Sequence, residues 1–295
     1  MTWRDLPSAI LRGVRGRWKG ILAYGLLIAI SLTAFLYLTF PWKMLEDRLL
    51  YELSRQTGLA FHPRQTDHAF PLGLRFEGVE MARPTGEPLG RIDRIDLRVS
   101  PLDFLSGRMT TDITAEAFGG NASGTFGATS RRQELDTEWR KIDLAGLKTV
   151  AGLQIGLAGS LSGKAHVTFL PSETAGALRL SIDRARIKDL KVMGFPLPEM
   201  EFEEVRGTAE IKNRVLTLKE VRLRGDDVKG TIKGDITFGG GTTPASLNLK
   251  FRIHLSDRAR APYQGFLSLI EKNRDKEGYY PFSLQGTFKE PKISL

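Results

Sequence analysis

The chain contains no cysteine. Disulfides, thiolate metal sites and a cysteine nucleophile are therefore all excluded. Histidine is scarce, with four in 295 residues. His62, His68, His166 and His254 never fall at i,i+3 or i,i+4 spacing, and no H-E-x-x-H occurs. Asp67-His68 is the one adjacent acid–imidazole pair, and metal ligation there would need further convergent groups. A phosphate loop is missing too: around Gly163-Lys164, Ala158 stands where the first glycine belongs and Ala165 where Ser or Thr would hold magnesium. In Gly159–Gly163 (GSLSG), Leu161 occupies the position of a nucleophile elbow's serine. No G-x-G-x-x-G and no βαβ alternation occurs. The residues thus offer no catalytic signature, no cofactor motif and no metal site.

An excess of one charge is also missing from most of the chain. The formal charge of +9 includes a net +4 on residues 1–20, where Arg4, Arg12, Arg15, Arg17 and Lys19 face only Asp5. The remaining residues carry 38 basic and 33 acidic side chains. A nucleic-acid binder concentrates its cations on the folded part, so no nucleic-acid partner is expected.

What is present first is one long uncharged run, Ile21–Phe40 (ILAYGLLIAISLTAFLYLTF). At about 1.5 Å per residue it spans roughly 30 Å, the thickness of a bilayer's hydrocarbon core. Trp18 precedes it, and Tyr37 and Trp42 mark its far end, where amphipathic rings favour the interface. The exit Tyr37-Leu-Thr-Phe-Pro-Trp is bulky where a signal peptidase needs small residues, so an uncleaved anchor is expected. The basic residues before it place the N-terminus in the cytoplasm. After Pro41, Met44, Leu45, Leu49 and Leu53 recur at helical spacing up to Gly58, a natural C-cap.

From about Leu72 the hydrophobic period changes to two. Ile95, Leu97 and Val99 alternate with Asp96 and Arg98, and Leu178, Leu180 and Ile182 with Arg179, Ser181 and Asp183. The cleanest run puts Leu247, Leu249, Phe251, Ile253 and Leu255 on one face, with His254 on the other. Turns are signalled at Gly119–Asn121, Arg224–Asp227 and Gly239–Thr242. Helices are expected only at Pro101–Ser106, Asp143–Val150 and Ala261–Lys272. Gly159–Phe169 and Gly230–Phe238 echo one another, which suggests repeated hairpins. The fold class is therefore mainly β: a transmembrane helix, a juxtamembrane helix and a large antiparallel sheet, curved or groove-forming, with few short helices. So many one-sided strands need a second sheet, closure into a barrel, or an apolar occupant. The five residues of Leu247–Leu255 are accordingly the candidate core face or groove.

The expected organisation is a basic tail (1–20), the membrane helix (21–40), a juxtamembrane helix (41–60) and a β-rich domain (61–295). In that order, the run Arg91–Phe126 (RIDRIDLRVSPLDFLSGRMTTDITAEAFGGNASGTF) resembles the N-terminal unit of AsmA-type periplasmic proteins. The span Ile142–Phe169 resembles that group's short helix followed by L-x-G-x-L-x-G. In size and single anchor the chain is most similar to the GspN family, the N component of type II secretion systems. The resemblance implies an inner-membrane, single-pass protein with a cytoplasmic N-terminus and a periplasmic β domain. It further implies a non-enzymatic role beside other type II secretion components, or the carriage of phospholipid along an apolar groove.

Overall fold

A computed structural model describes residues 8–69, 72–101, 103, 106–151, 156–189, 191–192, 195–196, 199–238, 245–260, 264, 267–268, 271–287 and 291–294. Helix α1 (Ser8–Thr39) contains the uncharged run except Phe40, and its window Leu22–Thr39 has a mean hydropathy of 1.9, long and apolar enough to cross a membrane. Leu26, Ile28, Phe35 and Leu38 on it are exposed, so no described part of the protein covers them.

Only Phe40 and Pro41 separate α1 from α2 (Trp42–Thr57). Proline lacks the N–H that would continue the helix, and the chain turns there. Trp42 pins the joint: its Nε1 donates to the Tyr37 carbonyl at 3.0 Å, and its ring packs against Tyr37, Phe40 and His68. Gly58 ends α2 at φ +69°, its N–H donating to the Ser54 carbonyl at 2.9 Å. The expected stripe of Met44, Leu45, Leu49 and Leu53 needs correction. Met44 is 71% exposed, whereas Trp42, Leu45 and Leu50 meet the sheet. Successive helical residues are about 100° apart, so Met44 and Leu45 cannot share a narrow contact face.

Strands start earlier than Leu72. β1 (Ala60–His62) and β2 (Gln65–Ala69) both pair with one edge of β3 (Gly73–Ala82), forming an edge strand interrupted at Pro63-Arg64. Gly78, at φ +60°, lies opposite the break, and Arg64 pairs with Glu80 at 2.6 Å across it. The sheet continues through β4 (Pro88–Val99), β5 (Met109–Ala117), β6 (Gly120–Ala128), β7 (Gln133–Asp143), β8 (Gly156–Phe169) and β9 (Thr174–Lys188). A small separate hairpin, β10 (Lys191–Val192) and β11 (Phe195–Pro196), follows. The main sheet resumes with β12 (Met200–Lys212), β13 (Val215–Arg224), β14 (Val228–Thr237), β15 (Ser246–Leu255), β16 (Tyr280–Thr287) and β17 (Pro291–Ser294). Each strand pairs antiparallel with its neighbours in the order, and the sheet does not close into a barrel.

Two cores hold the ends. Near the N-terminal edge, α2 covers Phe61, Leu74, Phe76, Val79 and Met81. At the other end, Ala259 and Leu267 from the β15–β16 connection pack on Phe202, Val205, Val221, Val228, Leu255 and Tyr280. Helix α3 (Leu144–Ala151) packs against β7 and β8 and also against β4. Four strand-to-strand steps separate β4 from β8, so the sheet bends to bring both to one short helix. Close packing fixes that position: a side chain at Gly146 would meet the Phe118 ring at 2.3 Å. Of the other expected helices, Pro101 and Asp103 are helical, as are Gln264, Leu267 and Ser268 with a short 3-10 turn at Glu271–Asn273. The remainder of those two segments lies partly outside the described residues, as does the expected turn at 239–242 apart from its flanks.

Candidate functional site: one apolar face across the sheet

Because the strands of the main sheet pair antiparallel along one order, with only local register shifts, side chains of one face line up across it. Leu97 stands opposite Ile113, Ile113 opposite Gly124, Gly124 opposite Thr137, Thr137 opposite Ala165, and Ala165 opposite Leu178. The row continues through Ala209, Leu218, Gly234, Leu249 and Leu284. The next row on the same face runs from Ile95 through Ala115, Ala122, Trp139, Gly163, Leu180 and Gly207 to Val221, Ile232 and Phe251. At a strand spacing of about 4.8 Å these rows cross roughly 45 Å of sheet.

The opposite face carries the intervening residues. Arg75, Asp96, Thr114, Ser123, Glu138, Lys164 and Arg179 form one such row. Its charges are paired: Arg75 Nε donates to Asp96 at 2.6 Å, and Lys164 lies 3.2 Å from Glu138. The hydrogen bond and charge of Asp96 raise the Arg75 pKa, and hydrogen bonds from Arg140 and Lys164 lower that of Glu138.

The apolar face is not uniformly buried. Over β5–β9, Ile113, Phe126, Leu135, Trp139, Leu161, Leu178 and Leu180 are all half-buried, whereas Ile142, Val167 and Ala185 are buried. Helix α3 packs against β7 and β8 in this region, and apart from the β10–β11 hairpin the described strands form a single hydrogen-bonded sheet. Two polar atoms here are buried without a hydrogen-bond partner, Thr111 Oγ1 and Trp139 Nε1. An unsatisfied buried group of this kind costs about 1–3 kcal/mol unless something else meets it. The Trp139 indole also lies over Gly163, where a side chain would come within 2.7 Å of the ring.

The candidate residues read from β15 lie together on this face. Leu247, Leu249 and Leu255 are buried, while Phe251 and Ile253 are half-buried. Phe251 stacks on Phe282 with ring centroids 4.9 Å apart and planes 1° from parallel. Leu255 belongs to the C-terminal core, with Ile253 packed against it.

The histidines do not converge. His68 stacks on Trp42, while Asp67 accepts from Gln65, so the adjacent pair points to different partners. His254 lies on the polar side, edge-on to Tyr279. His166 Nδ1 is 2.6 Å from Asp136 Oδ1, a contact between residues thirty apart that only strand register reveals. That pair lines a shallow depression of about 660 Å³ on the polar face, with Asp112, Ser123, Lys164 and Arg179 also at its rim. Among the described residues no group of three or more His, Asp or Glu could hold a metal ion. Comparison with known protein families, curated proteins and solved structures finds no match to this chain.

Proposed function

We propose that this protein is a membrane-anchored carrier of acyl chains, held along the apolar face of β5–β9. The observation that carries the reading is that Ile113, Phe126, Leu135, Leu178 and Leu180, which line one face of β5–β9, stay only half-buried. Exposed apolar surface of this extent is favourable only when something apolar covers it. An acyl chain reaches about half of a roughly 30 Å bilayer core, so several could lie end to end along the face. The polar atoms Trp139 Nε1 and Thr111 Oγ1 suit the ester oxygens of a phospholipid, the first as a donor.

Helix α2 supports a placement against the bilayer. It starts two residues after α1 ends, and its outward Met44 and Tyr51 are 71% and 62% exposed, flanked by Lys43, Arg48 and Arg55. Apolar and cationic side chains in that mixture suit the headgroup layer. In this reading α1 spans the inner membrane with its basic end in the cytoplasm, and the sheet stands in the periplasm.

The test is a photo-crosslinking amino acid placed in the full-length protein in cells. Positions Phe126 and Leu180 are expected to yield lipid adducts, and their neighbours Thr125 and Arg179 none. Equal labelling at both parities, or lipid adducts at neither, would remove the acyl-chain reading. A role as an accessory component of type II secretion is a second proposal, favoured by a single-tether β domain whose polar face is open to partners. It predicts crosslinks from Ser123 or Thr208 to other components of that machinery.

A further inference from the structure

We propose that the polar face of β14–β15 is a docking surface for an anionic phospholipid bilayer. On this face Lys233 stands directly opposite Lys250, and Lys229 directly opposite His254. All three lysines are exposed, and none has a carboxylate partner among the described residues. Elsewhere on this face several charges are paired, as in Arg75–Asp96, Lys164–Glu138 and Lys219–Glu210. The nearby acids are already engaged. Asp235 accepts from Thr217 and stands opposite Asn248, and Asp275 and Glu277 both hold Arg252. Like charges directly opposite each other in a sheet oppose folding. Retaining Lys233 against Lys250 without an acid between them is therefore explained by an anion supplied from outside.

The surroundings select a membrane over a protein. Thr231, Asn248, Ser283 and Gln285 fill the same face around the lysines. Tyr279 is the ring nearest by, and it is occupied beneath Arg252 and against His254. Protein interfaces depend on buried aromatic or aliphatic anchors, which the face between these lysines lacks. A planar anionic bilayer needs no such anchor and attracts each cation separately, by roughly fivefold in partitioning per lysine. Lys292, opposite Gln285 on β17, extends the cationic surface by two strands. From β3, beside the anchor, to β15 is roughly 50 Å along the sheet, so this surface is separate from the α2 contact.

The experiment reconstitutes the full chain in neutral phosphatidylcholine vesicles. Docking of a second, fluorescent vesicle population, with or without phosphatidylglycerol, is then measured by co-flotation. Docking is expected to require phosphatidylglycerol and to weaken as salt is raised. It should fall roughly 25-fold in the Lys233→Ser/Lys250→Ser double variant, at two lysines' worth of attraction. Lys250→Glu should weaken docking by a similar factor while holding or raising Tm, because it places a carboxylate opposite Lys233. A merely structural lysine would not separate those two readouts. The inference is overturned by equal docking of wild type and double variant, or by docking to neutral vesicles. It is equally overturned if docking is lost only when Arg12, Arg15 and Arg17 are changed to Ser, or if wild type binds polyglutamate but no vesicle, which would indicate an acidic protein. The double variant should keep the inner-face lipid crosslinks, so failure here and failure of the acyl-chain reading are distinguishable.

Discussion

The two ends of the sheet and its middle share one sequence pattern and reach different states. At the N-terminal end Leu74 and Val79 are 1% exposed beneath α2, and at the C-terminal end Val228 is 1% exposed near Ala259 and Leu267. In the middle, Leu135, Leu178 and Leu180 occupy equivalent alternate positions yet remain half-buried. The difference lies in the connections. At the ends, α2 and the β15–β16 connection fold onto the apolar face, whereas in the middle β5–β6, β6–β7 and β8–β9 are joined by tight turns and only the β7–β8 connection carries a helix, α3. Alternation therefore selects a face, and the length of the loops decides whether the chain itself can cover it.

The largest effect that sharpens this contrast is in the sealed ends. Leu74→Ala should cost about 2–5 kcal/mol of unfolding free energy, as for a fully packed leucine. Denaturant titration of the chain in lipid nanodiscs would measure it, and a loss below 1 kcal/mol would erase the distinction between ends and middle. Next, Gly163→Val should cost about 1–3 kcal/mol, because the new side chain meets both the Trp139 ring and the Arg179 carbonyl. Trp139 fluorescence should shift in the same variant as the indole is displaced. Smaller still, Leu178→Ala in the middle should cost under about 1.5 kcal/mol, since water or an occupant already meets part of that side chain. A loss as large as that of Leu74→Ala would mean that the middle is also core.

The smallest effect is in pH. Glu80, Glu138 and Asp275 have folded pKa values lowered chiefly by hydrogen bonds from Arg64, Arg140 and Arg252 respectively. Their unfolded values lie near 4. Their contribution is thus fully present above that pH and is lost as pH falls through the lower folded values. Tm should be flat from neutrality to about pH 5 and decline below about pH 4. In Arg252→Ala the part of that decline due to Asp275 should shrink. Glu80 is exposed and Glu138 and Asp275 are half-buried, all still in contact with water, so the shift is expected to be slight.

Much of this was legible from residue order. All of the uncharged run Ile21–Phe40 except Phe40 lies within α1, Gly58 caps α2, and the alternation at Leu247–Leu255 forms β15 as a one-sided strand. The turn expected at Gly119–Asn121 falls one residue earlier, at Phe118-Gly119, both at positive φ, and Gly120 and Asn121 already belong to β6. Less legible was the outward turn of Met44, because a helix's apolar stripe does not state how wide the contacting face will be. The start of the sheet at Ala60 was hidden by Pro63, which interrupts the edge strand without ending its pairing with β3. The pairing of Asp136 with His166 and of Lys233 with Lys250 could not be read at all from local spacing, since both depend on cross-strand register.

By itself, the sequence determined the apolar helix, the strand-forming period of two and the absence of thiol or helical metal chemistry, because these follow from side-chain type and local spacing. Only the tertiary structure decided that the strands form one open sheet, that both ends are sealed and that three lysines stand without acids. Those outcomes rest on register and on which loops fold back, contacts between residues far apart in the chain that no local pattern encodes.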